Sequence, residues 1–270
     1  MISSIPLNDG HSIPQIGLGT WPLSDAEAAL VIPTAIGLGY RHIDTAVKYG
    51  NEVGVGEGIR RSGIDRDELF VTTKLNGAAQ GEDRALDGLR ESLERLDLEY
   101  VDLLLIHWPL PGRGEFLSTW RTFEKLKADG FARSIGVSNF KPAHLDVLAD
   151  AATTVPAVNQ VDLSPTNARL AERAYHDSRG IVTEAWSPIK GVLDQPVLTE
   201  IAAKHERSVA QIALRWHLQN GIVAIPKSIN PERLAENIAI FDFELDSRDL
   251  EAIAAIDVPG SGVDSDVIGH

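Results

Sequence analysis

The sequence predicts a single α/β domain folded as a parallel (β/α)8 TIM barrel, and three features of the chain lead to this prediction. Short apolar or β-branched runs alternate with longer helical patterns throughout the 270 residues. Eight such runs occur, and an eightfold alternation within about 250 residues is typical of this barrel. No low-complexity linker, charge block or repeat divides the chain, so we predict one domain over residues 1–270. A doubly wound sheet is less suitable, because it usually has fewer strands or a second domain.

The individual elements follow in order along the chain. The opening Ile2–Pro14 carries an Asn-Asp-Gly turn between apolar residues, which predicts a β-hairpin at the bottom of the barrel. The predicted barrel strands are Gln15–Gly19, Arg41–Asp44, Phe70–Lys74, Val101–Ile106, Ser134–Val137, Ala157–Gln160, Val182–Trp186 and Val223–Pro226. The predicted helices include Ser24–Leu38, Asn51–Arg61, Gly81–Leu98, Phe116–Ala128, Pro142–Asp150, Arg169–Ser178 and Val197–Gln219. The final segment, Asp257–His270, is rich in Gly, Ser and Asp and is expected to form a surface tail.

The composition and charge of the chain exclude several classes of binding partner. With 25 basic and 39 acidic residues the net charge is −14, so the chain should repel nucleic acid and anionic membranes. The absence of cysteine excludes disulfides and cysteine-ligated metals. No apolar run approaches the roughly 20 residues of a membrane span, and Met1–Gly10 lacks a secretory pattern. We therefore expect a cytoplasmic protein that acts on a small molecule.

Four chemically different side chains lie at or just after the ends of three successive predicted strands, namely Asp44, Tyr49, Lys74 and His107. Parallel strands would bring them to one point, although each residue alone has a structural alternative. Carbonyl reduction by hydride needs a nearby acid to protonate the developing alkoxide. Lys74 would lower the pKa of the Tyr49 hydroxyl, and Asp44 would hold Lys74 in place. His107 would orient the carbonyl oxygen, so the set predicts carbonyl reduction.

The motifs around these residues resemble those of the aldo-keto reductases over nearly the whole chain. The matching stretches are Gly17-Leu18-Gly19-Thr20-Trp21, His42-Ile43-Asp44-Thr45-Ala46, Tyr49-Gly50-Asn51-Glu52, Lys74, Ile106-His107-Trp108-Pro109, Gly136-Val137-Ser138-Asn139-Phe140, Asn159-Gln160, Ala185-Trp186-Ser187-Pro188 and Ile225-Pro226-Lys227-Ser228 with Arg233 and Glu236-Asn237. The most similar branch is the prokaryotic one that includes the 2,5-diketo-D-gluconate reductases. The resemblance implies a monomer that reduces aldehydes and ketones with NADPH, with Tyr49 as proton donor.

A phosphate site is predicted between Lys227 and Asn237. Asn230 would cap a helix that begins at Pro231, and Arg233 would lie near its positive N-terminus. The alternative is that Arg233 and Glu236 form an ordinary surface ion pair. The resemblance implies that this segment holds the 2′-phosphate of NADPH. By contrast, Gly17-x-Gly19 is a weak dinucleotide motif, because its third glycine is missing.

The resemblance also implies the remaining ligand contacts. Ser138, Asn139 and Gln160 are suited to gripping a carboxamide, and Trp186 would stack on the nicotinamide where many relatives have tyrosine. The full set of expected cofactor residues is Gly19, Thr20, Ser138, Asn139, Gln160, Trp186, Ser187, Pro188, Ile189, Gly191, Leu193, Lys227, Ser228, Ile229, Arg233, Glu236 and Asn237.

The substrate pocket is expected to be open and partly apolar. Trp21, Val47 and Trp108 would form its walls and admit small aldehydes, dicarbonyls or keto-sugars. No metal is expected, since no clustered His and carboxylate ligand pattern appears in the sequence. Two other functions stay open: a cofactor-sensing regulatory subunit with little turnover, and a phosphosugar-processing barrel that would leave Tyr49 and Lys74 without a role.

Overall fold

A ring of eight parallel strands forms the centre of the molecule in the computed structural model, which describes residues 2–270. Met1, the first residue of the predicted domain, lies outside the described residues. The strands are β3 (Leu18–Gly19), β4 (His42–Asp44), β5 (Phe70–Leu75), β6 (Val101–Ile106), β7 (Ala132–Ser138), β8 (Val158–Asp162), β9 (Val182–Trp186) and β10 (Val223–Ala224). Each strand pairs in parallel with its neighbour in sequence. The predicted (β/α)8 barrel is confirmed.

Backbone hydrogen bonds between the first and last strands close the barrel. The Gly17 amide donates to the Ala224 carbonyl at 2.9 Å, and the Ala224 amide donates to the Gln15 carbonyl at 3.0 Å. One step further, the Gly19 amide donates to the Pro226 carbonyl at 3.1 Å. A Cβ on Gly19 would lie 2.8 Å from the Ile225 carbonyl oxygen, so only glycine permits this approach.

The predicted N-terminal hairpin is confirmed and covers the lower end of the barrel. Strands β1 (Ser4–Pro6) and β2 (Ser12–Pro14) pair antiparallel on either side of the Asn-Asp-Gly turn. Ile13 is fully buried and belongs to one apolar cluster with Phe70 and Val223, which lie at the starts of barrel strands. Burial of these apolar side chains fixes the hairpin across the barrel bottom.

The helices surround the barrel and bury their apolar faces against the strands. They are α1 (Asp25–Gly37), α2 (Glu52–Ser62), α3 (Glu82–Leu96), α4 (Phe116–Ala128), α5 (Pro142–Ala151), α6 (Leu170–Ser178), α7 (Pro196–His205), α8 (Val209–Gln219), α9 (Pro231–Ile238) and α10 (Ser247–Ala254). Within residues 2–270 no helix is long and apolar enough to cross a membrane.

The single helix predicted over Val197–Gln219 is wrong, because the chain breaks it into α7 and α8. Glu206 adopts a left-handed conformation with φ of 54° and ends α7. Ser208 then starts α8 through a capping box, in which its hydroxyl accepts from the Gln211 amide at 3.2 Å and Gln211 accepts from the Ser208 amide at 3.0 Å. The Ser-x-x-Gln pattern is the sequence feature that indicates this second helix start. The apolar periodicity hid the break, since both helices bury apolar faces in the same core cluster.

As expected, the segment Asp257–His270 lies at the surface with most of its residues exposed, but ion pairs hold it in place. The Lys141 ammonium holds the carboxylates of Asp264 and Asp266 at 2.5 and 2.6 Å, which fastens the tail across the mouth of the barrel. The His270 ring then lies 5.1 Å from the ring of His107. The polar composition of the tail reflects its ion pairs rather than a free position in solvent.

Candidate active site

A cavity of about 570 Å³ opens at the carboxyl ends of the barrel strands. This is the end of the barrel at which the loops after the strands meet, as the fold class predicts. Its lining contains Gly19, Thr20, Trp21, Pro22, Asp44, Lys48, Tyr49, His107, Trp108, Ser138, Asn139, Gln160, Trp186, Ser187, Pro188, Ile189, Lys190, Leu193, Ile225, Pro226, Lys227 and His270. Most of the predicted site residues therefore surround one space.

The buried ammonium of Lys74 joins the predicted catalytic residues. Its Nζ donates to Asp44 Oδ1 at 2.5 Å, to the Thr45 carbonyl at 3.0 Å and to Tyr49 Oη at 3.1 Å. These three bonds use all three hydrogens of the ammonium. Tyr49 Oη accepts from Lys74, so its own hydrogen is free to be donated to a ligand in the cavity.

Tyr49 and His107 face the cavity together, with ring centroids 5.7 Å apart. Burial raises the pKa of Tyr49 above its ordinary value, although the charge of Lys74 opposes this rise. Lys74 thus lowers this pKa as expected, but the sequence reasoning left out desolvation, which outweighs the ammonium. Burial and then the charge of Lys74 hold the pKa of His107 well below its usual range. His107 is thus a neutral hydrogen-bonding group at pH 7.

Glu184 is a buried acid at this site that the sequence reasoning missed. Gln160 Nε2 donates to Asp44 Oδ2 at 2.8 Å and to Glu184 Oε2 at 2.9 Å. Both amide hydrogens are therefore used, and Gln160 can offer only its carbonyl oxygen to a ligand. The alternation of side chains along a strand could have indicated the position of this acid, because Glu184 and Trp186 lie on the same side of β9.

Burial, and then the nearby Asp44 charge, raises the pKa of Glu184 from an ordinary 4.5 to about 8. The folded state therefore holds a proton between those pH values that the unfolded state has lost, so stability falls as pH rises through this window. We expect the wild type to lose free energy of unfolding relative to Glu184→Gln by at most about 1.4 kcal/mol per pH unit there. Urea unfolding of both proteins at several pH values measures this difference. A difference independent of pH would contradict the prediction.

Asn139 connects the loop that carries His107 to the ring of Trp186. Its Nδ2 donates to the His107 carbonyl at 3.0 Å and to Ser138 Oγ at 3.1 Å, and its Oδ1 accepts from Trp186 Nε1 at 3.0 Å. The residue adopts the left-handed conformation with φ of 64°, which asparagine tolerates better than most residues. Because its amide hydrogens are both used, Asn139 fixes the positions of Trp186 and of the loop that carries His107.

The loop after β9 forms another wall of the cavity. Ser187, Pro188, Ile189 and Leu193 line it as predicted, whereas Gly191 lies outside the lining, next to Thr166. The sequence reasoning missed Lys190, whose Nζ lies 3.3 Å from Asp162 Oδ2.

The predicted phosphate segment begins at the cavity and continues along α9. Asn230 Oδ1 accepts from the Arg233 amide at 2.9 Å, which confirms the capped helix start at Pro231. Lys227 lines the cavity, but the other predicted members of the segment do not; these are Ser228, Ile229, Arg233, Glu236 and Asn237. Among the described residues, Arg233 forms no ion pair with Glu236, so the alternative of a simple surface pair is not observed.

Aromatic rings form the wall beside Tyr49. Trp21 lies with its ring centroid 5.2 Å from that of Tyr49, and Trp108 lies 5.8 Å from His270. Val47 is half-buried and is not among the residues that line the cavity, so its place in the wall stays a prediction. It begins the short helical turn Val47–Tyr49, and only the next two residues of this turn reach the cavity. Pro22, Lys48 and His270 line the cavity and were missed.

Comparison with known proteins gives one consistent result. Residues 15–258 match the model of the aldo/keto reductase family. A morphine 6-dehydrogenase of Pseudomonas putida is 48% identical, with 94% of this chain and 90% of that protein covered. A glyoxal reductase of Bacillus subtilis is 48% identical over 94% and 92% of the two chains. A variant of Gox0644 crystallised with NADPH superposes with a TM-score of 0.92 at 45% identity, over 96% of this chain and 94% of that one.

Proposed function

The chain belongs to the aldo/keto reductase family, and on this basis we propose that it reduces small aldehydes, dicarbonyls or keto-sugars with NADPH, using Tyr49 as the acid. The observation that carries the proposal is the position of Lys74, whose Nζ bonds both to Asp44 and to the Tyr49 hydroxyl. A tyrosine with a free hydroxyl hydrogen and an adjacent fixed cation is suited to protonating an oxygen that becomes negative.

Each residue of the site has a separate role in the reaction. NADPH, when bound, supplies a hydride to the carbonyl carbon. Tyr49 gives its hydroxyl proton to the carbonyl oxygen, so the product is an alcohol and the phenolate stays beside Lys74. Burial alone would lower the pKa of Lys74, but the Asp44 carboxylate and then the Tyr49 hydroxyl raise it, so the cation persists. Neutral His107 donates a hydrogen bond that orients the carbonyl oxygen.

The residues present fit a nicotinamide cofactor. Gln160 has a carbonyl oxygen available for the N–H group of a carboxamide, because its own amide hydrogens are used by Asp44 and Glu184. Trp186 lines the cavity with its ring fixed by Asn139, which suits stacking on a flat heterocycle. Lys227 and Arg233 provide cations near the start of α9 for a phosphate.

The activities for which these relatives are named support the reaction class and leave the substrate open. A glyoxal reductase and a morphine 6-dehydrogenase act on molecules of very different size. The test is consumption of NADPH by purified protein with a panel of glyoxals, aromatic aldehydes and keto-sugars. Turnover of at least one class supports the proposal. Binding of NADPH without turnover of any carbonyl would contradict it and favour the regulatory alternative.

Arg233→Ala is expected to weaken NADPH binding by about ten- to a hundredfold, because a charge-assisted bond to phosphate contributes about 1.5–3 kcal/mol. NADH lacks the 2′-phosphate, so its affinity should change by less than about threefold. Titration of protein fluorescence with each cofactor measures both constants. The control is Arg90→Ala, which removes an exposed arginine from α3. Equal losses for NADPH and NADH would contradict the assignment of Arg233.

A further inference from the structure

The charges that line the cavity do not cancel at its substrate end. Asp44 is paired with Lys74, and Lys190 is paired with Asp162. Two further lysines line the cavity, Lys48 and Lys227, and neither forms an ion pair with any residue in the range 2–270. Lys227 belongs to the predicted phosphate segment before α9, which leaves Lys48 for the substrate. An unpaired cation facing a cavity is notable in a chain with a net charge of −14, where carboxylates outnumber basic groups.

Lys48 lies beside the reacting group rather than at the cofactor end. It directly precedes Tyr49 in the short helical turn Val47–Tyr49, so its backbone is fixed relative to the proposed acid. Its charge acts on the ring of His107, which faces Tyr49, and on the ring of His270, which lies beside His107. Burial, followed by the Lys48 charge, lowers the pKa of His270, and Lys48 adds to the lowering at His107.

The other groups around this space are close to neutral. The rings of His107 and His270 lie 5.1 Å apart, and Trp108 lies 5.8 Å from His270. Because the pKa values of both histidines are lowered, neither carries a charge at pH 7. Trp21 adds an apolar wall beside Tyr49. Among the described residues that line the cavity, Asp44 is paired with Lys74, and Lys190 and Lys227 follow β9 and β10, so Lys48 is the unpaired charge nearest to Tyr49 in the sequence.

We propose that Lys48 selects carbonyl substrates that carry a carboxylate, by attracting that carboxylate while the carbonyl lies at Tyr49. This inference rests on the proposed reductase function and names its substrate class. The carboxylate is unchanged in the reaction, since the carbonyl alone receives the hydride and the Tyr49 proton. A structural role for Lys48 is not supported, because the residue is exposed and its side chain bonds to no other described group.

The attraction operates in a partly enclosed cavity, so it exceeds that of an open surface pair but is still screened by salt. One favourable ion pair at a partly exposed site changes affinity about three- to tenfold. We therefore expect Lys48 to change the preference for a carboxylate-bearing substrate by about that factor.

The experiment compares 4-carboxybenzaldehyde with its neutral methyl ester at saturating NADPH, and uses the ratio of the two kcat/KM values within each protein. Lys48→Met should lower this ratio three- to tenfold, and Lys48→Glu should lower it further. Raising NaCl from about 20 mM to about 500 mM should move the wild-type ratio toward that of Lys48→Met. Lys125→Met is the matched control, because it removes a cation of α4 that is paired with Glu82 outside the cavity.

The outcomes separate this inference from the proposed function. An unchanged ratio in Lys48→Met, or an equal fall in Lys125→Met, would overturn the role of Lys48 while ester turnover upholds the reductase. Absence of turnover with both aldehydes and with the wider carbonyl panel would overturn the proposed function and this inference with it.

Discussion

Tyr49→Phe is expected to lower kcat for carbonyl reduction by about a thousandfold, within the range that a positioned general acid contributes. The substitution removes the hydroxyl that lies 3.1 Å from Lys74 Nζ and leaves the ring in place. The ring contacts with Trp21 and His107, at centroid distances of 5.2 and 5.7 Å, do not depend on the hydroxyl. The loss should therefore fall on proton transfer rather than on the shape of the cavity.

Steady-state rates and NADPH titration together measure this effect. Because the hydroxyl is not among the groups proposed to hold the cofactor, NADPH affinity should stay within about threefold of the wild type. Tyr175→Phe is a matched control, since it removes a hydroxyl that donates to Asp146 on the outer surface. A Tyr49→Phe protein that kept more than about a tenth of wild-type kcat would show that another group supplies the proton.

The grouping of the proposed catalytic residues could be predicted because they lie at strand ends or in the turn directly after one. Parallel pairing sets Asp44 opposite Thr72 and Lys74 opposite Leu105, so the register of three strands brings the functional groups together. A sequence pattern that predicts the strands therefore also predicts which polar residues lie close together. The pKa direction of Tyr49 could not be obtained in this way, because it depends on how far burial outweighs one neighbouring charge.

Other parts of the site depend on long-range packing and could not be read from the sequence. Glu184 lies within a strand and gives no local signal that Gln160 would bridge it to Asp44. His270 reaches the cavity because Lys141 binds the tail from another part of the chain. A polar segment with this composition resembles a solvated tail until the cation that pairs with it is known.

Lys74→Met is expected to lower the free energy of unfolding by about 3–5 kcal/mol at pH 7, because it leaves a buried carboxylate without its partner. Asp44 is only 1% exposed, and Lys74 is fully buried. Gln160 would still donate to Asp44, but its neutral amide cannot replace the positive charge of Lys74. Methionine has a similar length, so the lost charge dominates over lost packing.

The effect should depend on pH and should be reversed by a second substitution. Burial already raises the pKa of Asp44 and Lys74 opposes it, so without Lys74 this pKa rises further. The folded variant then keeps a proton that the unfolded chain loses above about pH 4, and its deficit grows as pH rises from there toward the new pKa. Urea unfolding at pH 5 and pH 8 would measure this trend.

The double variant Asp44→Asn with Lys74→Met tests the cause of the instability. It removes both charges, so most of the lost stability should return, as for buried pairs replaced by neutral groups. Its kcat should stay low, because Tyr49 would still lack the cation that stabilises its phenolate. A double variant no more stable than Lys74→Met would mean that packing, rather than an unpaired carboxylate, determines the loss. Recovery of stability without recovery of turnover would separate the structural contribution of Lys74 from its catalytic one.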